Sequence, residues 1–355
     1  KTLQPENLKF YYNLIRLNSD YINDELINLI NTLDKSEKIL EKDKFIANYI
    51  LSKNFEKKKN LKKEIDYLER AHKSFLKYNV NRQSQNYWIN IIPNCFNKFK
   101  FKNSGKKIFK NLSPIFIIGL PRSGSTVTEM ILSTSKTNKY TIGESNLINY
   151  ILINSYHEKF LNLNEKENLE LDINLIEQKL HLGLKNLGIN TNNKCIFIDK
   201  SLENFFYVDL IIEVFPNAKF VVTQRNVVDN VIGIYKKMLL DIPWAHSIFE
   251  IIKYIDNFKH IIDYFKNKYP EKFFSVELDD LQNCNDDKIL NLFKFCNLSF
   301  NEKYSKFQNI NQFVNNASNI QIRNRFYKLE KDKYKDYKNL LREHANMFSW
   351  INFDN

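Results

Sequence analysis

The spacing of apolar residues changes character part-way along the chain. Up to residue 104 there is no glycine, and apolar residues recur every three or four positions, as in Ile22, Leu26, Leu29, Ile30 and Leu33, and again in Tyr67, Leu68, Ala71 and Phe75. This spacing lays an apolar stripe along each segment and predicts an all-helical N-terminal region of paired helices joined by short turns. Residues 45–79 resemble a single tetratricopeptide unit. No second copy follows, so a long repeat array is not expected.

From Pro114 onward the pattern is short apolar runs, each followed by helical periodicity. "IFIIG" (115–119), "CIFID" (195–199) and "KFVVTQ" (219–224) read as buried parallel strands. Residues 204–215 predict the helix between the second and third, ended by Pro216-Asn217, which makes a right-handed crossover unit. Residues 244–270 predict a long amphipathic helix stopping at Pro270, and 272–278 a further strand. The last residues, with no glycine or proline after Pro270, read as helices with extended polar stretches. The expected organisation is a helical region over 1–112 and an α/β domain with a parallel sheet flanked by helices over 113–355.

The chemistry is concentrated where the first strand ends. "PIFIIGLPRSGST" (114–126) places two of the chain's seven glycines in one polar turn between a strand and a helix. Such a turn aims successive backbone N–H groups, and the positive end of the helix, at an anion. The triphosphatase loop reads G-x-x-x-x-G-K-[ST]. Here the run is Gly119-Leu-Pro-Arg-Ser-Gly124-Ser125-Thr126, so the loop length is kept and the lysine is absent. Arg122 is the cation offered instead, and a planar guanidinium suits a tetrahedral oxyanion. Asp199, after four apolar residues, permits a competing reading as a magnesium-binding strand end, and hence a Mg-dependent small-molecule kinase. The missing lysine counts against it.

"FIIGLPRSGSTVTEMILS" resembles the 5′-phosphosulfate loop of sulfotransferases that use 3′-phosphoadenylyl sulfate (PAPS), most closely the bacterial tetratricopeptide-associated branch and more distantly the tyrosylprotein sulfotransferases. It extends over about residues 114–340 as several motifs in order. It implies a P-loop-like fold, sulfuryl transfer to a hydroxyl or amine, PAPS as co-substrate with adenosine 3′,5′-bisphosphate as product, and no required metal. Arg122, Ser123, Gly124, Ser125 and Thr126 would cradle the 5′ side. In "YTIGES" (140–145), Glu144 stands where the family has its general base. In "FIDKSLENF" (197–205), Lys200 stands where the family's lysine contacts the sulfuryl group and bridging oxygen. In "FPNAKFVVTQRNVVDNVIGIYKK" (215–237), Arg225, Gly233 and Lys237 fall on 3′-phosphate positions. Gly233 replaces a usual serine and Asn226 a usual aspartate. In "ASNIQIRNRFYKLEKDKY" (317–334), Ser318, Gln321, Arg323, Tyr327 and Lys333 match a nucleotide-closing segment. Arg325 stands there in place of proline and Tyr334 in place of tryptophan. The implied catalytic set is Glu144, Lys200, Ser318 and Arg122.

Composition adds constraints rather than direction. The net charge is +12, but it comes from scattered lysines, with no arginine-rich arm and no nucleic-acid motif, so small polyanions are expected before nucleic acid. The four cysteines lie far apart and suggest a reduced, cytoplasmic protein. No apolar run is long enough to span a bilayer. His246 reads as either an acceptor-pocket residue or a surface or capping histidine. The acceptor (small molecule, saccharide or peptide) and the oligomeric state are not legible, and a non-catalytic nucleotide-binding adaptor stays open beside the enzyme.

Overall fold

The computed structural model describes residues 7–103, 105, 108–163, 167–283, 285–302, 334–345, 347, 348 and 350. These fall into two compact units, one drawn from 1–85, 231–252 and 334–355, the other from 86–230 and 253–333. No helix among the described residues is long and apolar enough to cross a membrane.

The first unit is helical, and its asparagines help to make it so. Helices Leu8–Leu17, Asp24–Lys35 and Leu61–Tyr78 each begin at an asparagine (Asn7, Asn23, Asn60) whose side chain accepts from a first-turn N–H. Lys44–Lys57 and Leu61–Tyr78 form a helix–turn–helix pair over residues 45–79, with Phe45 and Phe75 edge to face at 4.9 Å. Tyr12 donates to the carbonyl of Met238 at 3.0 Å, joining the first helix to the 231–252 segment of the same unit. His246 is not at the surface. It is 1% exposed, and its Nδ1 lies 3.1 Å from Nδ1 of buried His72, whose ring stacks on Tyr235 at 3.9 Å. That partner is 174 residues away in sequence, which is why reading the neighbours of His246 missed it.

The second unit holds the strands β1 (Phe99–Lys102), β2 (Leu112–Gly119), β3 (Tyr140–Gly143), β4 (Leu169–Asp172), β5 (Cys195–Asp199), β6 (Lys219–Gln224) and β7 (Phe273–Glu277). β1 and β4 form a two-stranded parallel sheet, and the main sheet is parallel in the order β3-β5-β2-β6-β7. β1 lies inside the stretch read as helical. Its Phe-Lys-Phe-Lys alternation is a period of two, and it becomes a strand because Leu169–Asp172 pairs with it in register. The segment expected as one helix over 204–215 starts as a tight 3₁₀ turn at Leu202–Tyr207 and becomes α-helical only at Val208–Val214.

Both faces of the main sheet are covered, so its strands read as unbroken apolar runs. Ile115, Ile117, Ile198 and Val221 face one side and pack with Ile131 and Leu132 of the helix Ser125–Ser133. Phe116 faces the other, among Phe197, Phe215 and Phe220. β2 sits between β5 and β6, so the chain continues to both sides of it. A parallel sheet of this kind offers its ligand crevice beyond the carboxyl ends of the strands beside the point of reversal.

Candidate active site

The turn after β2 is shaped by two close approaches. A side chain at Gly119 would place its Cβ 2.3 Å from Thr223 Oγ1 and 2.9 Å from the Thr223 carbonyl of β6. At Gly124, with φ +100°, a Cβ would meet Leu278 at 2.7 Å. Only glycine satisfies both. Between them Arg122 adopts φ +69°, a left-handed conformation that is uncommon outside glycine and turns the loop back on itself. Ser123 points inward: its hydroxyl donates to the Leu120 carbonyl at 2.7 Å and shares a 2.6 Å hydrogen bond with Thr223. Its hydroxyl therefore ties the loop to β6, whereas Ser125 and Thr126 open the helix at the site where an anion would meet the N-terminal amides.

Lys200 follows the end of β5 and is fully buried, at 0% exposure. Its backbone N–H donates to the Gly143 carbonyl at 2.8 Å, locking the residue after β5 to the end of β3. Its ammonium is hydrogen-bonded to Glu144, whose side chain is 48% exposed. The two residues singled out separately in the sequence thus form one ion pair at the carboxyl edge of the sheet. A second carboxylate, which sequence reading passed over, stands 3.7 Å from the same ammonium: Glu129, 1% exposed, in the helix Ser125–Ser133. Burial pushes its carboxyl up to about 7, Lys200 pulls it down, and Glu144 and Asp199 raise it. The available signal was a carboxylate on the buried face of an amphipathic helix, one turn after Ser125.

Asp199 is engaged by the protein. Its Oδ2 accepts from Ser145 at 2.8 Å, and its Oδ1 accepts from the Ser201 N–H at 2.7 Å and from Asn204 at 3.3 Å. Burial raises its carboxyl despite these bonds. With both oxygens bonded to protein donors, its geometry is that of a bracket holding β5 to the 145–146 turn. This weakens the magnesium-kinase reading.

Arg225 follows β6 and lies against the loop, its Nη1 3.5 Å from the Arg122 carbonyl and its Nη2 3.2 Å from Asp229. Asn226, which departs from the usual aspartate, still caps the next helix by accepting from the Asp229 N–H at 3.2 Å. Asn230 donates to the Pro121 carbonyl at 2.7 Å and fastens the loop from the same side. Gly233 and Lys237 lie further along the helix Val227–Lys237, among residues of the other compact unit. Ser318, Gln321, Arg323, Tyr327 and Lys333 lie outside the described residues.

A profile of the Sulfotransferase family matches residues 114–302, more than half of the chain. The chain belongs to that family. An uncharacterized protein of Aquifex aeolicus (strain VF5) is 25% identical over 336 residues, which cover 90% of this chain and 43% of that protein. The chain therefore spans less than half the length of this relative. Solved structures of similar fold include the sulfotransferase domain of the Synechococcus PCC 7002 olefin synthase, at 14% identity and a TM-score of 0.40, over 69% of this chain and 98% of that one. A sulfotransferase of Mycobacterium tuberculosis H37Rv, at 14% identity and a TM-score of 0.35, covers 85% of this chain and 98% of its own.

Proposed function

We propose that the chain transfers a sulfuryl group from PAPS to a hydroxyl, or an amine, of an acceptor. The observation that carries this reading is the Lys200–Glu144 pair, set beside a phosphate loop without its lysine. A triphosphatase places its cation on the loop; here the buried cation comes from the neighbouring strand and touches a carboxylate able to act as base.

The residues present suit an anionic nucleotide. The turn 119–126 leads into a helix N-terminus, Arg122 is carried on it, and Arg225 lies against it. The loop would hold the 5′ side and Arg225 the 3′-phosphate, with Gly233 and Lys237 on the motif that follows. The donor supplies the activated sulfuryl group and a leaving group that already ends in phosphate. Lys200 and Arg122 supply positive charge where negative charge builds on the oxygens of an in-line displacement, the usual source of catalysis in phosphoryl transfer. Glu144, half-exposed, would take the acceptor proton. Ser318 would support Lys200 or the leaving oxygen.

The test is ligand-dependent melting. Adenosine 3′,5′-bisphosphate should raise the melting temperature in the absence of magnesium, and ATP with magnesium should leave it nearly unchanged. Stabilisation by Mg-ATP alone would return the chain to the kinase reading.

A further inference from the structure

Glu129 has no role in the reading above. It lies four residues after Ser125 and shares that residue's face of the helix Ser125–Ser133. It is 1% exposed, and its Oε2 makes no hydrogen bond among the described residues although it stands 3.7 Å from Lys200 Nζ. A buried acceptor left in that state calls for an explanation. The charged groups that face it are Lys200 and Asp199 from the end of β5 and Glu144 from the end of β3. Asp199 is taken up by Ser145, Ser201 and Asn204, so Glu129 and Glu144 divide one ammonium between them.

We propose that Glu129 is a positioning residue for group transfer, a second and dry carboxylate that holds the Lys200 ammonium in place when Glu144 gives it up. The proposal rests on the sulfuryl-transfer reading. In that step the acceptor oxygen bonds to sulfur and its proton passes to Glu144. The bond from sulfur to the bridging phosphate oxygen breaks, and its electron pair leaves with the bisphosphate. Once protonated, Glu144 no longer carries the charge that attracts Lys200. The ammonium is needed at that moment beside the leaving oxygen, and among the described residues Glu129 is the other carboxylate within ion-pair range. Glu129 itself lies behind Lys200 and acts through it. Its tendency to bind a proton near neutrality then makes its hold on Lys200 weaken as the solution is acidified.

Glu129→Gln and Glu129→Asp are compared with the parent in single-turnover reaction of PAPS, from mildly acid to mildly alkaline pH, beside calorimetric binding of adenosine 3′,5′-bisphosphate. Glu129→Gln should leave bisphosphate affinity and KM within about twofold and lower kcat by about tenfold to hundredfold, the scale of a misplaced catalytic group. It should also erase the limb of the kcat profile near neutral pH, and Glu129→Asp should restore part of the rate. Parental kcat with a parental pH profile overturns the proposal. So does a loss of kcat that follows melting temperature and nucleotide affinity together, since that is a purely structural role. A readout independent of the donor is acylation of Lys200 by acetic anhydride, mapped by mass spectrometry. Glu144→Gln alone should expose Lys200 modestly, and Glu144→Gln with Glu129→Gln much more. Equal labelling overturns the role of Glu129 even if the parent proves not to use PAPS. An unreactive parent whose labelling follows the expected order would sink the donor assignment and leave the positioning role standing.

Discussion

Among the described residues two lysines are buried beside carboxylates, one in each compact unit, and they are held in different ways. Lys236 lies 2.7 Å from Glu64 and 3.0 Å from Glu56, and it sits 4.2 Å from the ring centre of Tyr337. Its ammonium donates to the Tyr337 hydroxyl, which in turn donates to Glu64 at 2.7 Å. Burial pulls this ammonium down, but Glu56 and Glu64 more than compensate and raise it above the ordinary lysine range. Lys200 has one close partner, the half-exposed Glu144, and a second carboxylate beyond hydrogen-bond distance. The first lysine has two carboxylates and a hydroxyl within 3.0 Å, whereas the second has one close carboxylate at the edge of the sheet; each network leaves one buried carboxylate oxygen, Glu64 Oε1 and Glu129 Oε2, without a hydrogen bond among the described residues. Burial of a lysine therefore does not distinguish scaffold from chemistry. The number of close partners around its ammonium does.

The comparison breaks first at Glu144. Glu144→Gln keeps the volume and removes the proton-accepting charge, so transfer should fall by about 10² to 10⁴, the usual worth of general-base catalysis, with little change in melting temperature. Turnover of an identified acceptor at the parental rate would remove Glu144 from the base role. The converse substitution is Lys236→Ala, which strands buried Glu64 without its cation. Stability should drop by about 3–5 kcal/mol in urea titration, the cost of breaking one side of a buried pair. A variant as stable as the parent would mean that the Lys236 network holds little.

The smallest effect sharpens the same contrast through pH. Burial, and then the neighbouring His246, depress His72 well below its ordinary range, while burial holds His246 at about 4. Both are thus neutral in the folded chain where the unfolded chain binds protons. Their contribution is present above about pH 6.5 and is lost as pH falls toward the folded values, by up to about 1.4 kcal/mol per pH unit for each ring. Double protonation would also turn the Nδ1–Nδ1 contact into two opposed donors. Glu129, whose folded carboxyl is raised to about 7, works in the opposite sense over the same interval, being favoured as pH falls. The useful measurement is therefore a difference. The melting temperature of His246→Phe should fall less between neutral and mildly acid pH than that of the parent, and parallel curves would discount the histidine pair.

Much of the site was legible because its parts are local. A strand, a glycine turn, two hydroxyls and a helix follow each other without interruption in residues 114–133, and the strand ends after Asp199 and Gln224 place Lys200 and Arg225 by their positions alone. Glu129 was passed over because in sequence it is one carboxylate among Val127, Thr128, Met130 and Ile131, and nothing nearby says that Lys200 lies opposite it. In "IYKK" Lys237 stands at the family position, whereas the buried cation is its neighbour Lys236, whose partners come from residues 56, 64 and 337. Phe99–Lys102 was absorbed into a helical region because a four-residue alternation is too short to count until β4 pairs with it.

The sequence by itself determined the elements and their chemistry: a helical first part, parallel strands with buried faces, a glycine turn lacking the triphosphatase lysine, and the residue types at each strand end. Only the tertiary structure decided which of those groups are dry and which carboxylate answers which lysine. It turned Ser123 inward to Thr223, spent Asp199 on brackets, and set Glu129 against Lys200. The physical reason is that a helix, a strand or a turn is set by contacts within a few residues. A charge's environment is set by whatever the fold brings against it and by how much water that contact removes.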